Sequence, residues 1–184
     1  MHERTAAPDG AMRVVVRDLA QMFNSIDPSP FMERDLDEAA ERFIVEWARD
    51  LSPRAPLELE VQVAGPRAAP DSAAALQEAV HVHFRRRADS SRRELRELMR
   101  RGRLSLAIGL VFLSACVLAA DLVAVHLSPS RLIGIIREGL TVAGWVAMWR
   151  PMEIFLYAWW PLARDRRLFD RLSRMPVRAR FAGA

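Results

Sequence analysis

The run from Leu104 to Ala120 holds seventeen consecutive residues without a charge, and extending it to Leu127 adds only Asp121. A helix of that length and content matches the hydrocarbon core of a bilayer. The rest of the chain is too short and too charged to bury such a helix on every side. A first span over 104–127 is therefore predicted, and it constrains everything else in the 184 residues.

A second apolar run, Leu132 to Leu162, is interrupted by Arg137, Glu138, Arg150 and Glu153. Two registers compete. One spans about 132–149 and leaves "MEIFLYAWW" at the interface. The other spans about 139–162 and puts Arg150 near mid-bilayer. In the second register seven Leu, Ile, Val or Phe residues contribute roughly −3 kcal/mol together. An unpaired central Arg costs about 2.5–3.5 kcal/mol on the same scale, and Glu adds more. An isolated helix would be close to neutral, so it needs a partner helix and an ion pair, or a snorkelling Arg150. The expectation is one long helix from about 132 to 160, within a second span of 132–162. Arg150 and Glu153 then lie in its cytoplasmic half, facing the first helix or snorkelling beside a bend at Pro151.

Charge sets the orientation. Residues 1–80 carry 8 Arg against 15 acids, net −7, and residues 81–184 carry 19 Arg against 8 acids, net +11, which together give the chain's +4. Nine Arg lie in 85–103 and seven in 164–180, whereas the turn at 128–131 carries only Arg131. Arginine-rich flanks stay on the cytoplasmic side, so both termini are expected there and the turn outside. Trp159 and Trp160, just before "PLARDRR", read as an interfacial aromatic belt. The arginines flank apolar runs, which fits a membrane surface and argues against nucleic acid. All 27 basic residues are Arg, a bias that a GC-rich genome explains without arginine-specific recognition. Residues 1–25 contain no apolar segment long enough for a signal peptide.

The soluble part is predicted as a small cytosolic α+β region over 12–70, after a disordered 1–11. Val14 to Val16 read as a short strand or the start of a helix. "DPSPF" is a turn-rich linker. Residues 36–51 form a helix, with Asp35 as N-cap and Glu38 as its box partner. Leu36, Ala40, Phe43, Ile44, Trp47 and Leu51 make its apolar face. "PLELEVQV" alternates strictly, Leu57, Leu59, Val61 and Val63 against Glu58, Glu60 and Gln62, as a half-buried strand does. A lone strand is unstable; residues 13–16 are its intramolecular candidate partner, and a second copy of the chain is the other. From about 72 the chain has no proline or interior glycine until Gly102, so a basic juxtamembrane helix over 71–103 is expected to run continuously, or with a mild kink near 89–91, into the first span. Residues 163–184 read as a basic cytosolic tail.

Folding the two spans as a hairpin about residues 129–130 brings Asp121 near Arg137 and Glu138, Arg150 near Gly109, and Glu153 near Leu106 and Arg103. This predicts an Asp121–Arg137 pair, and Glu153 paired with Arg150 or Arg103. Gly139, Ala143 and Ala147 form a small-residue series, as do Ser105 and Gly109, suited to the hairpin seam or to a dimer. Arg85, Arg86, Arg87, Arg92, Arg93, Arg100, Arg101 and Arg103 are candidates for anionic lipid headgroups, or for holding the acidic N-terminal region. His81 and His83 are two residues apart, a spacing that points them to different helix faces and argues against a metal site. Cys116 is the single cysteine, which excludes an internal disulfide and a cysteine-based zinc site. No dinucleotide fingerprint, P-loop, nucleophile elbow or nucleophile–base pairing is present, and no cofactor is implied.

"FNSIDPSPFMERDLDEAAERFIVEWA" together with "REGLTVAGWVAMWRPMEIFLYAWWP" resembles a group of bacterial inner-membrane proteins of unknown function. They share a soluble N-terminal region followed by a two-helix hairpin. The resemblance covers about Leu19 to Val177 and implies that architecture and the bacterial inner membrane. It carries over no functional residues. The expected class is a mainly α membrane protein, a transmembrane helical hairpin with a long membrane-entering helix and a small α+β cytosolic region. The expected role is a non-enzymatic adaptor or accessory subunit that organises a protein partner, or a homo-oligomer, at an anionic bilayer. The alternative is a component of a transport or membrane-enzyme system using Arg150, Glu153 and Asp121.

Overall fold

A computed structural model of the chain describes residues 11–24, 35–52, 54–64, 72–126 and 130–181. The expectations for residues 1–10, for the whole "DPSPF" linker, for the stretch 65–71 and for residues 128 and 129 of the turn lie outside these residues. The chain divides into two compact units: residues 1–91 with 164–184, and residues 92–163.

The first unit is built on three parallel strands, β1 (Ala11–Val16), β2 (Glu58–Val63) and β3 (Val177–Phe181), in the order β1-β2-β3. Residues 13–16 do pair with the alternating strand, with Arg13 opposite Glu60 and Val16 opposite Val63. Parallel neighbours need a crossover connection. Between β1 and β2 this contains α1 (Glu38–Asp50), and between β2 and β3 it contains the whole of α2 to α5. Residues 163–184 are therefore not simply a basic tail. Leu168, Phe169 and Leu172 on the last helix, then Met175 and Val177, enter the core, and β3 completes the sheet. Alternation explains the fit: Val177, Ala179 and Phe181 turn to the core while Arg178 and Arg180 stay exposed.

The core face of the sheet (Met12, Val14, Val16, Leu59, Val61, Val63) packs with Ala40, Ile44, Val45 and Ala48 of α1 and Leu76, Ala79, Val80 and Phe84 of α2. The α1 N-cap is Asp37, not Asp35: its Oδ1 accepts from the N–H groups of Ala39 (2.9 Å) and Ala40 (3.4 Å). Asp35 is drawn away because its carbonyl accepts from Asn24 N–H, beside a Phe23–Leu36 bridge. Glu38 instead pairs with Arg42.

The second unit is a helical hairpin. α2 (Ser72–His126) is one continuous helix of 55 residues. The returning rod comprises α3 (Arg131–Ala147), α4 (Trp149–Glu153), a π-helical turn (Ile154–Ala158) and α5 (Trp159–Leu172). The single long second helix is thus segmented, and its first break is at Met148. Pro151 has no N–H to give the Ala147 carbonyl, which loosens the rod just where the bend was expected.

The seam is antiparallel and close. A Cβ on Gly144 would lie 2.7 Å from Leu113 Cδ1 and 3.3 Å from Cys116 Cβ. One on Gly109 would lie 3.3 Å from the Ala147 carbonyl oxygen, and one on Gly102 would lie 2.8 Å from Ile154. The level of Gly109 against residues 147–151 matches the predicted hairpin register. Of the expected small-residue series, Gly109 is at the seam, whereas Gly139 has nothing within 4 Å and Ala143 is exposed; Gly144, outside that series, makes the close contact instead. Ala147 reaches the seam through its carbonyl.

Candidate functional site

Ala73–His126 and Arg131–Leu172 are both long and apolar enough to cross a membrane, and only 17% and 6% of their most apolar windows are buried within the chain. The outer surface of the hairpin is correspondingly apolar. Leu104, Ile108, Val111, Leu118 and Val125 on α2 are exposed, and so are Leu132, Ile135, Val142, Val146 and Leu156 on the returning rod. Trp145, Trp149, Tyr157 and Trp160 are exposed too.

On this surface the structure forms one of the two predicted ion pairs. Arg150 Nη1 donates to Glu153 Oε2 at 3.0 Å, and Arg103 is not involved. The pair does not face the first helix, because Pro151 and Ile154 occupy the seam there. Its side chains are 72% and 47% exposed. Asp121 and Arg137 are both exposed and, among the described residues, in no ion pair, so the predicted Asp121–Arg137 bridge is not made. Ala120 is the buried seam residue; Asp121 follows it about 100° round the helix and so points off the contact. Glu138 is exposed as well.

The arginines of α2 separate into two sets. Arg92, Arg93, Arg100, Arg101 and Arg103 are exposed in the hairpin unit, with Arg101 bonded to Glu97 one turn away. Arg86 and Arg87 turn to the N-terminal region, as the second expectation for them required, while Arg85 is exposed. Arg87 Nε is 2.7 Å from Glu41 Oε1, and its guanidinium lies 5.4 Å from the Phe169 ring centre. Arg86 Nη1 is 3.8 Å from Asp35 Oδ1.

His83 is the hub of this cluster and is buried. Leu36 N–H donates to its Nδ1 at 3.3 Å, so a neutral ring carries its proton on Nε2, which donates to Glu41 Oε2 at 3.2 Å. Asp35 Oδ1 also lies 3.2 Å from Nδ1. The His83 hydrogen bond, with help from the charge of Arg87, holds the Glu41 carboxyl below its ordinary value against the opposing effect of burial. Two residues earlier, and so on the other side of the helix, His81 Nε2–H donates to the Met175 carbonyl at 2.8 Å. The two histidines do face different ways, and each clips α2 to a different part of the unit. Among the described residues no group of three or more His, Cys, Asp or Glu is arranged to hold a metal ion.

A second charged array lies on the sheet. Glu60 on the central strand is buried and is flanked by Arg13 Nε of β1 at 3.6 Å and Arg180 Nε of β3 at 3.1 Å. Gln62 Nε2 donates to it at 3.2 Å, and Arg178 Nε is 3.0 Å from Glu58. The opposed charges of the two halves of the sequence are thus largely explained. Asp35, Glu41, Glu58 and Glu60 from the acidic half meet Arg86, Arg87, Arg178 and Arg180 from the basic half. Of the first cluster only Arg86 and Arg87 were named from sequence, as candidates for holding the acidic N-terminal region; His83, Glu41 and Glu60 were not. For the second the advance signal was the alternation that put Glu58 and Glu60 on one face of a strand.

No protein-family model, curated protein or solved structure matches the chain, so the functional reading rests on its own geometry.

Proposed function

We propose that this chain is a two-span membrane anchor whose sheet unit organises a protein partner at the cytoplasmic face of a bacterial inner membrane. The observation that carries the reading is the pairing of β3 with β2. The chain before the hairpin and the chain after it return to one sheet, so both flanks must lie on the same side of any bilayer. Only an even number of crossings allows that, and the hairpin supplies two apolar rods of sufficient length. Its exposed apolar surface gives lipid a face to solvate. The arginines at 92–103 and 164–180 favour the cytoplasmic side for the sheet unit.

The geometry supports an anchor over a transport component. Arg150 and Glu153 satisfy each other on the outer surface and do not line the seam between the two rods. The two His-centred clips and the Glu60 array tie strands and helices together, as a binding platform needs. The test is purification from native membranes in mild detergent, combined with cross-linking in the intact membrane. The expected result is a stoichiometric complex larger than the monomer. A monomer that also forms no cross-link before solubilisation overturns the adaptor reading.

A further inference from the structure

The sheet has two edges, and they are not finished alike. At β1 the core-facing row Met12, Val14 and Val16 is buried throughout. Gln21 Oε1 also accepts from the Arg17 N–H at 3.1 Å, just past the end of that strand. At β3 the corresponding row is Val177, Ala179 and Phe181, of which Val177 is buried while Ala179 and Phe181 are half-buried. Leu59 N–H donates to the Pro176 carbonyl at 2.9 Å. Alternate residues of a parallel strand bond to opposite sides, so Arg178 and Arg180 bond to β2 as Pro176 does. The N–H and C=O groups of Val177, Ala179 and Phe181 point away from β2, and among the described residues none of them is hydrogen-bonded. Such a row is a template for a further strand.

The other row of β3 is basic. Arg178 and Arg180 are 66% and 67% exposed, although each contacts a carboxylate of β2 through Nε, Glu58 at 3.0 Å and Glu60 at 3.1 Å. A guanidinium has five N–H donors, so the Nη ends are left for a neighbour beyond the edge. A second copy of β3 is a poor neighbour. Any register that keeps the two apolar rows on one side sets arginine opposite arginine, and like charges directly opposite are destabilising. A second copy of β1 brings Arg13 and Arg17 to the same row. Charge therefore selects an acidic strand.

We propose that β3 is the docking edge for an extended acidic segment of a protein partner, one in which Glu or Asp alternates with apolar residues. The partner's backbone extends the ladder at Val177, Ala179 and Phe181. Its carboxylates stand opposite Arg178 and Arg180, and its apolar side chains cover Ala179 and Phe181. Main-chain bonds supply the hold and the alternate side chains the selectivity. The inference rests on the reading of the chain as an organiser of a protein partner and gives that partner's chemistry; it uses the sheet unit alone.

The experiment uses the full chain in phosphatidylcholine nanodiscs and a fluorescein-labelled peptide, Thr-Val-Glu-Val-Glu-Val-Thr, read by anisotropy. Saturable binding is expected. Arg178→Gln should weaken it about fivefold, the loss of one opposite-charge cross-strand pair. That variant leaves both arginines of Glu60 in place, so the sheet stays folded. Ala179→Pro removes an outward N–H and no bond to β2, so binding should be lost while the sheet unit stays protease-resistant. N-methylation of the peptide along one of its edges should abolish binding, and along the other should not, with the protein unchanged. No binding by the acidic peptide overturns the proposal. So does equal binding of the peptide with Lys for Glu, or binding that tolerates Ala179→Pro or methylation along either edge. The two readings fail separately. A native-membrane complex that persists with Ala179→Pro overturns the docking edge and leaves the adaptor reading standing. Peptide binding without any native complex overturns the adaptor reading alone.

Discussion

Gly144 is where the hairpin has least room. A Cβ there would lie 2.7 Å from Leu113 Cδ1, 3.3 Å from Cys116 Cβ and 3.4 Å from Leu113 Cα. The first neighbour is the tip of a flexible side chain and can move. The other two belong to the wall of α2 and can yield only if the helices separate. Gly144→Leu therefore overpacks the seam, at about 3 kcal/mol, the upper part of the usual range for such insertions. That corresponds to roughly a hundredfold in the equilibrium between packed and separated helices. Gly139 is the internal control. It lies on the same helix with nothing within 4 Å, so Gly139→Leu meets no wall and gains up to about 0.8 kcal/mol of helix propensity. The assay is SDS titration in mixed micelles, read by the fluorescence of Trp145 and Trp149. Gly144→Leu should lower the midpoint clearly, and Gly139→Leu should leave it unchanged or raise it. Leu113→Ala added to Gly144→Leu should recover much of the loss, since the two positions share one space. Equal midpoints for the two glycine variants, or a larger loss at Gly139, would refute the assigned seam.

The His83 cluster predicts an acid-sensitive component of stability. The folded Glu41 carboxyl titrates below its ordinary 4.5, so its contribution is present above that value and is lost as pH falls through the lowered one. Wild type should lose more stability between neutral and acid pH than Glu41→Gln, which at neutral pH costs about 1–2 kcal/mol in chemical denaturation; parallel pH curves would count against the assignment. Phe84, fully buried and stacked 6.4 Å from Phe169, should cost about 3–5 kcal/mol on change to Ala, as a shift in thermal unfolding of the sheet unit. Truncation before Val177 removes a sheet edge and the Arg180 partner of buried Glu60, so the sheet unit should become protease-sensitive while far-ultraviolet helicity of the hairpin persists. Arg150→Gln with Glu153→Gln removes both partners of one ion pair together and leaves no uncompensated charge, so protein abundance in membranes should hold.

What could be read in advance follows the range of the forces involved. The apolar runs, the continuity of α2 and the two-residue period of "PLELEVQV" are local, and they appear as expected. "VRARF" has that same period over only five residues, and its arginines merge with a basic run. What makes it a strand is β2, more than a hundred residues away in the chain. The choice between Asp35 and Asp37 as N-cap was also settled at long range, by the contact of Leu36 with Phe23. The Gly139–Ala143–Ala147 spacing does not tell which side of α3 meets α2, and the contact falls on Gly144 instead. His83 could not be assigned because its partners, Asp35 and Glu41, come from a different element. Glu41 lies off the apolar face of α1, and α2 covers it with His83 and Arg87.

The central claim is that both flanks of a membrane-crossing hairpin fold into one sheet on one side. It is tested most directly by labelling single cysteines with an impermeant maleimide in sealed membranes of known sidedness, on a Cys116→Ala background. The probes are Arg42→Cys on α1, His126→Cys at the hairpin end of α2 and Arg178→Cys on β3. The account predicts that Arg42 and Arg178 label together from the cytoplasmic side and that His126 labels only from the other. Labelling of Arg42 and Arg178 from opposite sides, or of all three from one side, would contradict it.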